Sequence, residues 1–121
     1  MDPKKSQLEL RLTPMASQEH FQIQIRNSNQ AVESVEVRLE DEGEYEYLVR
    51  AAGNIWAKKA TRVKGSARWT YGFGDNALRI RVNSNIGTTR TFEDVMVPAG
   101  ADRGGWRTSW KMDNFNNEPP F

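Results

Sequence analysis

A chain of 121 residues with no cysteine, one histidine, 17 basic and 16 acidic residues suits one domain of ordinary size and leaves no room for two. The missing thiols exclude a disulfide scaffold, an iron–sulfur centre, a thiolate zinc site and a cysteine nucleophile, and a single histidine excludes a two-histidine metal motif. A net charge of +1 names no partner. A mean hydropathy of −0.76 with no apolar run of membrane length excludes a helical span, and Met1-Asp2-Pro3-Lys4-Lys5-Ser6 has no apolar stretch behind it, so no signal peptide is expected there.

The dominant period along the chain is two. Leu8, Leu10 and Leu12 alternate with Glu9 and Arg11; Phe21, Ile23 and Ile25 alternate with His20, Gln22, Gln24 and Arg26. Val35, Val37 and Leu39 alternate with Glu36, Arg38 and Glu40, and Leu78, Ile80 and Val82 with Arg79 and Arg81. Each reads as a strand with one dry and one wet face. Residues 45–50, 55–59, 67–71 and 90–97 are shorter or less regular candidates, which makes about eight strands. Asn27-Ser28-Asn29-Gln30, Asp41-Glu42-Gly43, Ala52-Gly53-Asn54, Lys64-Gly65-Ser66, Gly72-Phe73-Gly74-Asp75-Asn76 and Asn83-Ser84-Asn85-Ile86-Gly87 punctuate them, because glycine and asparagine tolerate the positive φ of tight turns. No helical period lasts beyond two turns. The pattern predicts an all-β chain, an antiparallel, immunoglobulin-like β-sandwich.

The organisation expected is an extension over residues 1–7, the sandwich over 8–98, and an irregular tail over 99–121. The tail loses the alternation and gains Gly100, Gly104, Gly105, Pro119 and Pro120 while carrying Trp106, Trp110, Phe115 and Phe121. Aromatic side chains do not float free in water, so part of the tail is expected to pack on the sandwich or extend an edge.

Charge is segregated locally. Glu40, Asp41, Glu42, Glu44 and Glu46 crowd into seven residues, and the next 28 residues, 47–74, hold no acid. That second stretch carries Arg50, Lys58, Lys59, Arg62, Lys64 and Arg68 with Tyr47, Trp56, Trp69, Tyr71 and Phe73. Rings stack on sugars or bases while cations hold phosphates or acidic polysaccharides. The competing reading is a core: about half of the aromatics on strands point inward, and Trp69 has the setting of a core tryptophan. The acidic run lacks calcium-loop spacing and reads as a solvated hairpin tip. Neither Glu93 with Asp94 nor Asp102 with Asp113 has a partner that would split two carboxylate pKa values, and neighbours on a strand point to opposite faces. His20 lies on a polar strand face. No nucleophile elbow, P-loop or dinucleotide fingerprint occurs. No catalytic residue, metal ligand or cofactor is therefore expected.

The order of these pieces resembles the C-terminal domain of expansins, a β-sandwich shared with group-2 grass-pollen allergens and classed as a family-63 carbohydrate-binding module. His20-Phe21-Gln22-Ile23-Gln24-Ile25-Arg26 followed by Val35-Glu36-Val37-Arg38-Leu39 is similar to the family's paired early strands. Trp56 and Trp69-Thr70-Tyr71 resemble its two-tryptophan middle. Leu78-Arg79-Ile80-Arg81-Val82 and Thr91-Phe92-Glu93-Asp94-Val95-Met96-Val97-Pro98 resemble its closing hairpin. The resemblance covers residues 8–98 and implies a non-catalytic module that binds cellulose or an acidic wall glycan in an extracellular setting. The family's row of exposed rings falls here on Glu19, His20 and Val63 or Lys64, none of them aromatic. A glycan is therefore expected to use other rings, namely Tyr47, Trp56, Tyr71 and Trp106, with Lys58, Lys59, Arg62 and Lys64 contributing where the glycan is acidic. The rival expectation is a protein-interaction or self-assembly module that uses the aromatic tail. Single-stranded nucleic acid is disfavoured by the near-zero net charge and the adjacent acidic hairpin.

Overall fold

The computed structural model describes residues 7–14, 16, 20–40, 43–62, 65–66, 69–71, 76–98 and 108–115. They form two antiparallel sheets and no helix. Among the described residues nine strands are present: β1 (Leu8–Leu12), β2 (His20–Arg26), β3 (Val32–Leu39), β4 (Glu46–Tyr47), β5 (Val49–Ala52), β6 (Ile55–Lys59), β7 (Ala77–Ser84), β8 (Thr89–Met96) and β9 (Ser109–Met112). One sheet has the order β5-β6-β2-β1-β9, the other β4-β3-β7-β8. The fold is an all-β sandwich, as the alternation predicts.

The apolar half of each alternating strand fills the space between the sheets. Leu10 pairs with Ile25, and Leu12 with Ile23, on one wall; Val35 pairs with Val82, and Val37 with Ile80, on the other. All eight are buried. Burying a Leu, Ile or Val side chain is worth about 1.5–3 kcal/mol, so these alternate positions hold the sheets face to face.

Two expectations change in detail. Residues 45–50 are not one strand. Glu46 and Tyr47 pair with β3 in one sheet, whereas Val49 to Ala52 pair with β6 in the other. Leu48 is the crossing point: it is buried, and its N–H donates to Val35 O at 2.8 Å. Nor do residues 67–71 supply a strand among the described residues; Trp69 makes only an isolated bridge with Arg62.

The segment after Pro98 supplies the ninth strand. β9 pairs with β1, setting Trp110 opposite Leu10 and Met112 opposite Leu8, both against the core. Phe115 is 3% exposed and belongs to the core. Between them Asn114 clasps the β2–β3 turn: its Nδ2 donates to Asn27 O at 2.6 Å and its Oδ1 accepts from Asn29 N–H at 3.1 Å. Asn29 Nδ2 donates to Phe115 O at 3.0 Å, and Arg90 Nε of β8 donates to Asn114 O at 3.0 Å. The C-terminal segment thus ties one sheet to the other. Phe115→Ala is expected to lower the unfolding free energy by about 3 kcal/mol, and Asn114→Ala by about 1–2 kcal/mol, read from urea midpoints.

Candidate functional site

The register fixes which side chains share the outer face of the four-stranded sheet. One transverse row runs Tyr47, Glu36, Arg81, Thr91, because Glu36 pairs with Tyr47 and Arg81, and Arg81 with Thr91. Beside it lies Ser34, Asn83, Thr89. On the other side Arg38 pairs with Arg79. Four strands spaced about 4.8 Å apart make each full row about 14 Å long.

The polar groups of this face are held by one another. Glu36 accepts from Arg81 Nε at 2.7 Å, from Arg81 Nη2 at 2.9 Å and from Asn83 Nδ2 at 2.9 Å. Asn83 also donates to Ser34 Oγ at 3.0 Å and accepts from Thr89 Oγ1 at 3.0 Å. The two-pronged Arg81 contact holds the Glu36 carboxyl below its ordinary value, against the opposing effect of burial, with Asn83 adding to it. Glu40 is likewise lowered, first by the Asp94 backbone N–H and then by Arg79. Arg79 reaches Glu40 at 2.6 Å and Glu93 at 3.6 Å.

A bulge in β8 explains that last contact. Leu78 pairs with Val95 and Ile80 with Phe92, so Glu93 and Asp94 together oppose Arg79. Asp94 takes a φ of 53°, and its N–H donates to Glu40 Oε2 at 3.0 Å. Both Glu93 and Asp94 are exposed. Strict alternation, which would send one of them inward, fails here because of the extra residue.

The six ring and lysine candidates divide sharply. Tyr47 is 66% exposed and stands on the outer face just described. Trp56 is 3% exposed, pairs with Ile23, and lies under the Arg50 guanidinium at 4.6 Å from the ring centroid. Tyr71 is 4% exposed, with its ring 6.0 Å from that of Phe21. Trp56 and Tyr71 therefore present no free ring to a ligand: each was a candidate by composition, and each is core by register or contact. Lys58 pairs with Phe21 and so points between the sheets, where its Nζ lies 3.8 Å from Glu46 Oε1. Lys64 and Trp106 lie outside the described residues, as does Glu19. Trp69 is only partly buried against the core, with Arg62 over its ring at 4.7 Å.

Tyr45 is the residue the sequence reading missed. Its ring is covered by Arg81 at 3.9 Å and approached by Arg38 at 5.4 Å. The arginine fixes Tyr45 while occupying a face of its ring, which leaves Tyr47 as the open platform on this sheet. The signal was present in the repeat Tyr45-Glu46-Tyr47, which sets two tyrosines on one side of a strand.

The outer face of the five-stranded sheet differs in charge. Arg11, Arg26, Lys59 and Lys111 stand there by register, with His20, Gln22 and Gln24 between them. Glu9 is the acid among them, buried at 7% exposure and 3.3 Å from Arg26. Of the lysines singled out for an acidic ligand, Lys59 is on this face and Lys58 is not. Among the described residues no three His, Asp or Glu side chains are grouped to hold a metal ion.

No protein-family model and no curated protein matches this chain. The expansin resemblance rests on the residues quoted for it alone.

The lowered Glu36 and Glu40 values make stability depend on acid. A carboxylate held low in the folded state stabilises it above the unfolded value of about 4.3, and that contribution is lost as pH falls through the folded value. Wild-type stability is expected to decline steadily below pH ~4.3. Glu36→Gln should cost about 2 kcal/mol at neutral pH and flatten the acid decline, seen in urea melts repeated across pH.

Proposed function

We propose that the chain is a non-catalytic carbohydrate-binding module that holds a single glycan chain on the outer face of the four-stranded sheet. The observation that carries this reading is Tyr47, an exposed ring at the end of the row that holds Glu36 and Arg81, with Asn83 of the adjacent row bonded to Glu36. A sugar offers an apolar C–H face and a rim of hydroxyls. It is matched by one flat ring and by planar polar groups that are already immobilised, since ordering them costs nothing further on binding.

Charge and ring count narrow the ligand. Arg79 is paired with Glu40 and Glu93, and Arg81 with Glu36, on the same sheet, a local neutralisation that suits a neutral glycan and predicts binding indifferent to salt. One open ring among the described residues of this face suits a soluble or amorphous chain better than a crystalline surface, where several coplanar rings add their small contributions. An expansin-like, extracellular wall setting belongs to the same reading.

A second reading, an acidic wall glycan on the five-stranded sheet, is favoured by four basic side chains set, among the described residues of its strands, against the acid Glu9. Self-association through the tail has less support, because Trp110 and Phe115 are spent on this chain's own core.

One depletion assay separates these readings. The chain is incubated with insoluble cellulose, neutral xylan, polygalacturonate and a bead control, each at low and high salt. Retention on a neutral glycan at both salts, weakened roughly fivefold by Tyr47→Ala for about 1 kcal/mol of lost stacking, is the expected result. Retention on polygalacturonate alone, at low salt alone and abolished by Lys59→Glu with Lys111→Glu, would transfer the function to the five-stranded sheet. No retention on any glycan would overturn both.

A further inference from the structure

The strand that carries Tyr47 is short. β4 is two residues long and stands at the edge of its sheet, paired through Glu46 with Val37 and Tyr47 with Glu36, and flanked by Tyr45 under Arg81 and by buried Leu48, whose N–H donates to Val35 O. Beyond it the chain leaves for the other sheet at Leu48. An edge strand this short frays unless something outside its own ladder secures it.

Glu46 adds an anchorage from the opposite side of the strand. Because it pairs with the buried Val37, its side chain lies on the inner side of the sheet while Tyr47 lies on the outer side. There the Tyr71 hydroxyl donates a hydrogen bond to Glu46 Oε2, and Lys58 Nζ lies 3.8 Å from Oε1. Lys58 belongs to β6 of the five-stranded sheet, and Tyr71 to the connection between β6 and β7. Tyr71 is itself immobile, buried with its ring against Phe21. Burial, and then the neighbouring carboxylate, push the Tyr71 phenol well above its ordinary value, so its O–H stays a donor. Strand β4 is therefore gripped across the sandwich by groups from outside its own sheet.

We infer that Glu46, held by Tyr71 and Lys58, is the positioning residue that fixes β4 and with it the ring of Tyr47 on the binding face. The inference rests on the glycan reading of that face for its consequence, but the latch itself exists without ligand. Tyr71 touches no ligand in this arrangement. It acts through Glu46, on the far side of the strand from the sugar.

Two readouts test it on the full chain. The first is amide hydrogen exchange without ligand, read at the Leu48 N–H, which donates to Val35 O beside the latch, and compared with the amides of Glu36 and Arg81, which face each other between β3 and β7. The second is titration with cellohexaose. Tyr71→Phe keeps the ring in the core and removes only the hydroxyl. It is expected to speed exchange at Leu48 about tenfold relative to the interior amides and to weaken cellohexaose binding by several-fold. Glu46→Ala should do the same. Glu46→Gln, which retains an acceptor for the Tyr71 hydroxyl, should restore most of both. Unchanged Leu48 exchange in Tyr71→Phe and Glu46→Ala would overturn the latch. Faster exchange with unchanged affinity would overturn its role in positioning Tyr47. Failure of the wild-type chain to bind any neutral glycan would instead overturn the reading of the face, with Leu48 exchange still deciding the latch.

Discussion

Two sheets of this protein face each other because β1, β2 and β7 present buried apolar side chains at alternate positions, and β3 does so at Val35 and Val37, past an irregularity between Val32 and Ser34. A one-residue slip in any of these strands would turn its whole apolar set to water and its charges inward. Register is therefore set by burial, and once set it decides the content of both outer faces. Glu36, Arg81 and Asn83 meet on one face because Val35, Val37, Ile80 and Val82 must meet behind them.

The same constraint separates candidates that look alike. Tyr47, Trp56 and Tyr71 belong to one acid-free stretch of sequence, yet Tyr47 alone of these presents a ring to solvent. The difference is one of parity and sheet. Tyr47 pairs with Glu36 on a wet face, whereas Trp56 pairs with Ile23 on a dry one. Lys58 obeys the same rule: opposite Phe21 it turns toward the interior and finds Glu46 at the seam. A cation between sheets needs a carboxylate there, and so the acidic run before β5 contributes to the fold as well as to solubility.

Much of the electrostatics is local neutralisation. Arg81 is held by Glu36, and Arg79 by Glu40 and Glu93, so the four-stranded sheet shows a rigid face of locally neutralised charge. Groups fixed in this way favour directional recognition over long-range attraction. The five-stranded sheet keeps more of its positive charge. The chain's net charge of +1 conceals this asymmetry, because summing over the whole sequence mixes two surfaces that point in opposite directions.

The alternation of Leu8 to Leu12, Phe21 to Ile25, Val35 to Leu39 and Leu78 to Val82 by itself determined an antiparallel β-sandwich, since no other local structure buries every second residue. It determined with equal force which side of those strands is wet. Where the pattern is short, only tertiary structure decided. Residues 45–50 read as one strand, but the burial of a single residue, Leu48, between sheets divides them. The strand Ser109–Met112 emerges from a glycine-rich tail because β1 offers it a free edge and Phe115 a place in the core. The grip of Tyr71 on Glu46 joins residues 25 positions apart. The covering of Tyr45 by Arg81 likewise depends on strands that meet only once the sheets have formed. Local periodicity reports how each segment divides between oil and water; which segments then touch is settled by how the sheets close on one another, and the candidate site is built from such contacts.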